Sequence, residues 1–267
     1  MRILIMGAGR MGRFFADVLS FQQHEVAMFD TNPNQLKFAF NTQRMTKYEE
    51  VEKFNPELVI NSVTIKYTLE AFKSILPHIS KDCIISDIAS VKTGLKEFYE
   101  NSGYRYVSTH PMFGPTFANL TDLSKENAII ISESDCMGKA FFKELYRSLN
   151  LNIFEYSFVE HDETIAYSLS IPFASTLVFI SCMKAQEAPG TTFKKHLTIA
   201  QGLMSEDDYL LSEVMFNPFA VDQVENICKK LNGLLDIMKK KDQDSMHKMI
   251  ESSRDKVAKA ILKAKKK

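Results

Sequence analysis

The run ILIMGAGRMGRFFADVL near the N-terminus constrains the fold more than any other stretch. Gly7, Gly9 and Gly12 form a G-x-G-x-x-G pattern that follows a short apolar strand and opens an amphipathic helix. In that context each glycine has a task. Gly7 permits a tight turn, Gly9 lets the backbone approach a pyrophosphate, and Gly12 lets the helix pack closely on the strand. The helix N-terminus then faces the anion with unpaired N–H groups. The next strand ends AMFDTNP, with Asp30 18 residues beyond Gly12. An acid there takes both hydroxyls of an adenine ribose and repels a 2′-phosphate, so NAD is expected rather than NADP. Gly7, Gly9, Arg10, Met11, Gly12 and Asp30 are the candidate cofactor-binding residues.

The first half of the chain alternates. Short β-rich runs predict strands over 3–6, 26–29, 58–63, 83–87, 104–108 and 128–132, with a last one at 153–156. Helix-like stretches at 10–20, 67–76, 91–101 and 135–150 lie between or beside them. Such alternation points to a parallel sheet covered on both faces. After about residue 157 strand signals stop, and helical patterns at 160–186, 193–216, 222–240 and 242–264 take over. The expected organisation is an α/β Rossmann-type doubly wound domain over 1–157, followed by an all-helical domain over 158–267.

Charge and cysteines narrow the function. Basic and acidic residues number 33 each, which argues against a nucleic-acid partner. Cys83, Cys136, Cys182 and Cys228 lack metal-ligand or redox spacing, so no metal is expected, and reduced thiols suit a cytoplasmic protein. The start MRILIM runs straight into the glycines and does not read as a signal peptide. Residues 164–183 carry no charge and are long enough to span a bilayer. Their four serines, two threonines and proline favour a helix buried in a helical domain at a subunit interface. A homodimer is therefore expected, with no membrane partner.

In a doubly wound sheet, ligands sit beyond the carboxyl ends of the strands. The run CIISDIASVKTG puts Ser90 just past one such end, and YRYVSTHPMFGP brings Thr109 and His110 to the next. Both ends are expected to project into the crevice. Histidine suits a base working near neutral pH. Ser90 also reads as the N-cap of a helix starting at Val91. Pro111 and the Gly114–Pro115 pair should stiffen the loop behind the histidine.

Three segments together, DIASVK (87–92), STHPMFGP (108–115) and EHDETIAYSLSIPF (160–173), resemble the prephenate dehydrogenase family of tyrosine biosynthesis. The likeness covers nearly the whole chain. It implies a Rossmann domain with an all-helical dimerisation domain, and NAD-dependent oxidative decarboxylation of prephenate to 4-hydroxyphenylpyruvate. It also implies that His110 is the catalytic histidine and that Ser90 hydrogen-bonds near it. Phe173 and Ser170 depart from the pattern, since family members carry histidines there. The family's substrate-binding arginine has no visible counterpart. The segment TTFKKHLTIAQG offers Lys194, Lys195 and His196 as candidate substrate contacts, Lys194 first, together with Thr116. An arogenate or other hydroxy-acid dehydrogenase is one alternative, and a non-catalytic NAD-sensing module is another. Prephenate versus arogenate preference, tyrosine feedback and a separate chorismate mutase partner stay open at this level.

Overall fold

The computed structural model describes residues 1–114 and 119–265. Its eight strands are β1 (Arg2–Met6), β2 (Glu25–Phe29), β3 (Gln43–Met45), β4 (Leu58–Asn61), β5 (Ile84–Asp87), β6 (Tyr106–Pro111), β7 (Asn127–Ile131) and β8 (Asn152–Tyr156). They form one sheet in the order β3-β2-β1-β4-β5-β6-β7-β8. The order reverses between β1 and β4, which opens a crevice at their carboxyl ends.

Helices α1 (Arg10–Phe21), α2 (Pro33–Leu36), α3 (Tyr48–Phe54), α4 (Thr68–Ile75), α5 (Leu95–Ser102) and α6 (Cys136–Ser148) connect the strands. Successive strand side chains point to opposite faces, and both faces are covered. Ile3 and Ile5 of β1 pack with Phe15 of α1 and with Phe142 and Tyr146 of α6. Leu4, between them, packs on the other face with Val51 of α3, Phe72 of α4 and Leu95 of α5. Two apolar layers thus enclose strands that read as continuous hydrophobic runs.

The sheet is mostly parallel, with one departure. β7 runs antiparallel to β6, with Thr109, His110 and Pro111 opposite Ile130, Ile129 and Ala128. The chain between these strands holds no crossover helix among its described residues, and a parallel return needs one. The pairing also carries β6 three residues past the predicted end, so His110 lies within the ladder rather than beyond it. A second correction concerns 91–101. The helix starts only at Leu95, after Gly94 at φ +72°, so Ser90 is not its N-cap. Val91 and Lys92 turn inward, Lys92 into the core, while Thr93 and Gly94 stay exposed ahead of the helix.

Beyond Tyr156 every element is helical: α7 (Phe158–Ile165), α8 (Ile171–Cys182), α9 (Thr191–Leu203), α10 (Asp208–Met215), α11 (Ala220–Lys240) and α12 (Gln243–Lys265). The predicted 193–216 helix is two, because Asp207 caps the N–H groups of Tyr209 and Leu210 and starts a new one. α7 and α8 are joined by a π-helical turn over Ala166–Ser170. Pro172 cannot donate to the carbonyl four residues back, and a widened turn accommodates that loss. The stretch Phe158–Cys182 is long and apolar enough to cross a membrane, and most of it is not buried within the single chain.

Candidate active site

The glycine loop forms as its spacing requires. Gly7 adopts φ +91°, and a Cβ on Gly12 would stand 2.1 Å from the Gly7 carbonyl oxygen. A Cβ on Gly9 would meet nothing within 4 Å, which leaves the open approach a pyrophosphate needs. Asp30 accepts the Ala8 N–H through one carboxylate oxygen and the Asn32 N–H through the other, each at 2.8 Å. It therefore braces the loop. Gly7, Gly9 and Asp30 line a cavity of about 560 Å³ with Ser62, Val63 and Tyr67. Room, donors and acid match the adenosine and pyrophosphate half of a dinucleotide. Arg10 is exposed at the start of α1, while Met11 packs against the core and contributes bulk rather than a polar contact.

Moving across the sheet from β1, the strand ends present Ser62, then Ser90, then His110. Three strand spacings separate β1 from β6, roughly 14–15 Å, so His110 stands well across the sheet from the glycine loop. His110 is almost fully buried on β6. Its Nδ1 lies 3.0 Å from Nε2 of His161 on α7, and His161 Nδ1 lies 2.9 Å from the Asp162 carboxylate. No hydrogen bond engages His110 Nε2 among the described residues. Burial pushes the His110 pKa well below the usual histidine value, with the neighbouring His161 and Lys92 adding to the effect. Burial lowers His161 as well, against the opposing pull of Asp162.

Beneath the histidines lies a polar cluster that the sequence reading did not assign. Lys92 donates to the Asp87 carboxylate and, at 2.7 Å, to the Thr109 carbonyl oxygen. The Tyr99 hydroxyl donates to the other Asp87 oxygen at 2.7 Å. Desolvation lowers the Lys92 pKa, and the Asp87 charge opposes that shift. Thr109 does not face the crevice: its hydroxyl lies 2.7 Å from the Tyr146 hydroxyl, on the opposite face from His110. The available signal was an aspartate ending the buried strand CIISD with a lysine five residues on. An acid in such a strand needs a partner.

Other predicted residues sit apart from this centre. Ser90 is half-buried past β5 and shares no hydrogen bond with His110 among the described residues. Lys194, Lys195 and His196 are exposed on α9. Of these, His196 contacts the Thr192 carbonyl oxygen at 3.0 Å and lies against Phe179. None of the three shares a hydrogen bond with the histidine pair. Ser170 is buried and donates to the Val214 carbonyl oxygen at 3.1 Å, a packing role rather than a substrate contact. Thr116 and Pro115 lie outside the described residues. Among the described residues, no group of three His, Cys, Asp or Glu side chains could hold a metal ion.

A switch-point crevice with a glycine loop and acid at one end, and a buried histidine at the other, defines a dinucleotide-binding fold of the dehydrogenase type. The family model for the nucleotide-binding domain of prephenate dehydrogenase matches residues 18–151. The chain belongs to the prephenate dehydrogenase family. It is 21% identical over 212 residues to a probable arogenate/prephenate dehydrogenase of Methanocaldococcus jannaschii, covering 74% of this chain and 47% of that protein. It is 25% identical over 178 residues to the T-protein of Enterobacter agglomerans, covering 66% of this chain and 43% of that protein. The chain thus spans less than half the length of these curated relatives.

Among solved structures, prephenate dehydrogenase from A. aeolicus, in complex with hydroxyphenyl propionate and NAD+, superposes with a TM-score of 0.84 at 21% identity, over 97% of this chain and 98% of that one. Synechocystis arogenate dehydrogenase does so at 0.79 and 14% identity, over 97% and 100%. Both share the fold: a nucleotide-binding sheet followed by helices.

Proposed function

We propose that this chain oxidises and decarboxylates prephenate with NAD, releasing 4-hydroxyphenylpyruvate, carbon dioxide and NADH. The observation that supports this most is His110: a buried imidazole at the crevice, held through Nδ1, with Nε2 unengaged among the described residues. The lowered pKa keeps the ring neutral at physiological pH, the form a base needs.

In this reading His110 Nε2 takes the proton of the ring hydroxyl as the carbon bearing it gives up hydride. Bound nicotinamide supplies the hydride acceptor. The dienone so formed loses its ring carboxylate as carbon dioxide, the C–C bonding pair enters the ring, and the ring aromatises. His110 then returns its proton to the phenolate oxygen. Ser90 would orient the substrate hydroxyl. Asp30 selects NAD by excluding a 2′-phosphate. Lys194 is the first candidate to pair with a substrate carboxylate. Because it is exposed in the single chain, it would meet the substrate within a homodimer formed by the helical half.

Purified protein with NAD and prephenate, followed at the NADH absorbance and run in parallel with arogenate, tests the reading. Turnover with arogenate alone would reassign the substrate. Tight NAD binding without turnover on either acid would favour a sensing module.

A further inference from the structure

We infer that Asp162 and His161 set the tautomer of His110, holding its Nδ1 protonated so that Nε2 is bare. This rests on the reading of His110 as the base and extends it to two residues that position it. The geometry forces the assignment in one direction. An ionised carboxylate only accepts, so the 2.9 Å contact requires His161 Nδ1 to be the donor. A neutral His161 protonated there presents a bare Nε2. The 3.0 Å contact from His110 Nδ1 to that atom then requires His110 to donate. His110 Nε2 is left without hydrogen, ready to accept. When it does accept, the new charge stays hydrogen-bonded through Nδ1 to an acceptor aligned by Asp162.

The surroundings support this chain of donors. The His161 ring is fully buried and has no solvent contact of its own, while the Asp162 carboxylate is a quarter exposed. The nearby charges, Lys92 and Asp87, are paired with each other and supply no competing contact to either ring. The backbone of Asp162 is fixed as well: its carbonyl oxygen accepts from Asn217 Nδ2 at 2.9 Å, which ties α7 to the turn before α11. Free imidazole side chains in water favour the opposite tautomer. An unguided His110 would often present a donor to the substrate hydroxyl and could not take its proton.

The test combines a spectrum with three variants. At pH 8, ¹⁵N-resolved histidine spectra of the wild-type protein without substrate should show His110 protonated at Nδ1 and bare at Nε2. His161→Leu removes the acceptor at similar volume, and kcat with prephenate should fall about 10²-fold or more. His161→Gln puts an oxygen near the place of Nε2 and should recover about tenfold of that loss or more. Asp162→Asn removes the charge that fixes the order of donors and should lower kcat while leaving KM for NAD near the wild-type value. A wild-type His110 protonated at Nε2 overturns the inference. So does a His161→Leu enzyme with wild-type kcat where hydride transfer limits the rate. If the leucine variant does not fold, the wild-type spectrum and Asp162→Asn decide. Failure of the underlying reading would show differently: His110→Asn would keep its activity whatever the spectrum reports.

Discussion

Lys92 and Asp87 form an ion pair in which neither side chain is exposed to solvent. Removing one partner strands a buried charge, at a cost of about 3–5 kcal/mol. Lys92→Met is therefore expected to lower the unfolding free energy by about that amount. The double variant Lys92→Met with Asp87→Asn leaves no lone charge and should regain much of the loss. Urea denaturation of both against the wild type checks this, and equal destabilisation of the two would contradict it.

His110→Asn is expected to reduce turnover by about two to four powers of ten, the usual cost of losing a general base. Cofactor affinity should barely move, because the glycine loop lies across the sheet from β6. A loss below threefold, with hydride transfer shown to limit the rate, would remove His110 from the chemistry.

Asp30→Ala should weaken NAD and relieve the repulsion of NADP. The structure adds a second effect, since both Asp30 oxygens hold backbone N–H groups of the loop and of Asn32. Some stability should be lost too, at most about 1–3 kcal/mol for the Ala8 N–H left unmatched, since the exposed Asn32 N–H can turn to water. Comparable use of NADP and NAD by the wild type would contradict the assignment.

Acid should destabilise the fold through the histidine pair. His110 and His161 both have folded pKa values below the ordinary one. Below about pH 6.5 the unfolded chain takes up protons that the folded chain refuses. Their contribution is complete above that pH and falls as pH drops toward the folded values. The urea midpoint should decline between about pH 7 and 5.5, and less steeply in a His110→Asn, His161→Gln double variant. An identical slope would place the acid sensitivity elsewhere.

The apolar surface of α8 predicts association. Leu177 and Val178 are exposed in the single chain, on a helix with no charged residue between Ile171 and Cys182. Sedimentation at micromolar concentration should give a homodimer. A compact monomer, or partition into lipid vesicles, would refute it.

The first half of the fold was legible because its signals are local. Apolar strands bounded by turns, a glycine loop in context and Asp30 at a strand end each carry their meaning within about twenty residues. Edge strand β3 escaped, since three mostly exposed residues have no periodicity to read, and α3 escaped because it is only two turns long. At the crevice, sequence position brought out His110, but its partner was hidden. His161 lies 51 residues beyond His110, and only folding α7 onto the sheet brings the two rings together. Lys92 was hidden differently, because a lysine after a strand reads as solvated until its burial is seen.

The π-helical turn at Ala166–Ser170 bears on how such proteins can be recombined. Cutting the chain where the strands stop, after Tyr156, and grafting on a foreign set of helices would carry α7 away with the discarded half. His110 would then face whatever histidine the donor happened to bring. A crossover placed within the turn would keep α7 with its sheet, and the paired rings would be inherited as one unit. Chimeras joined at these two positions should differ in turnover even with identical helical halves, because the chemical seam lies about ten residues beyond the architectural one.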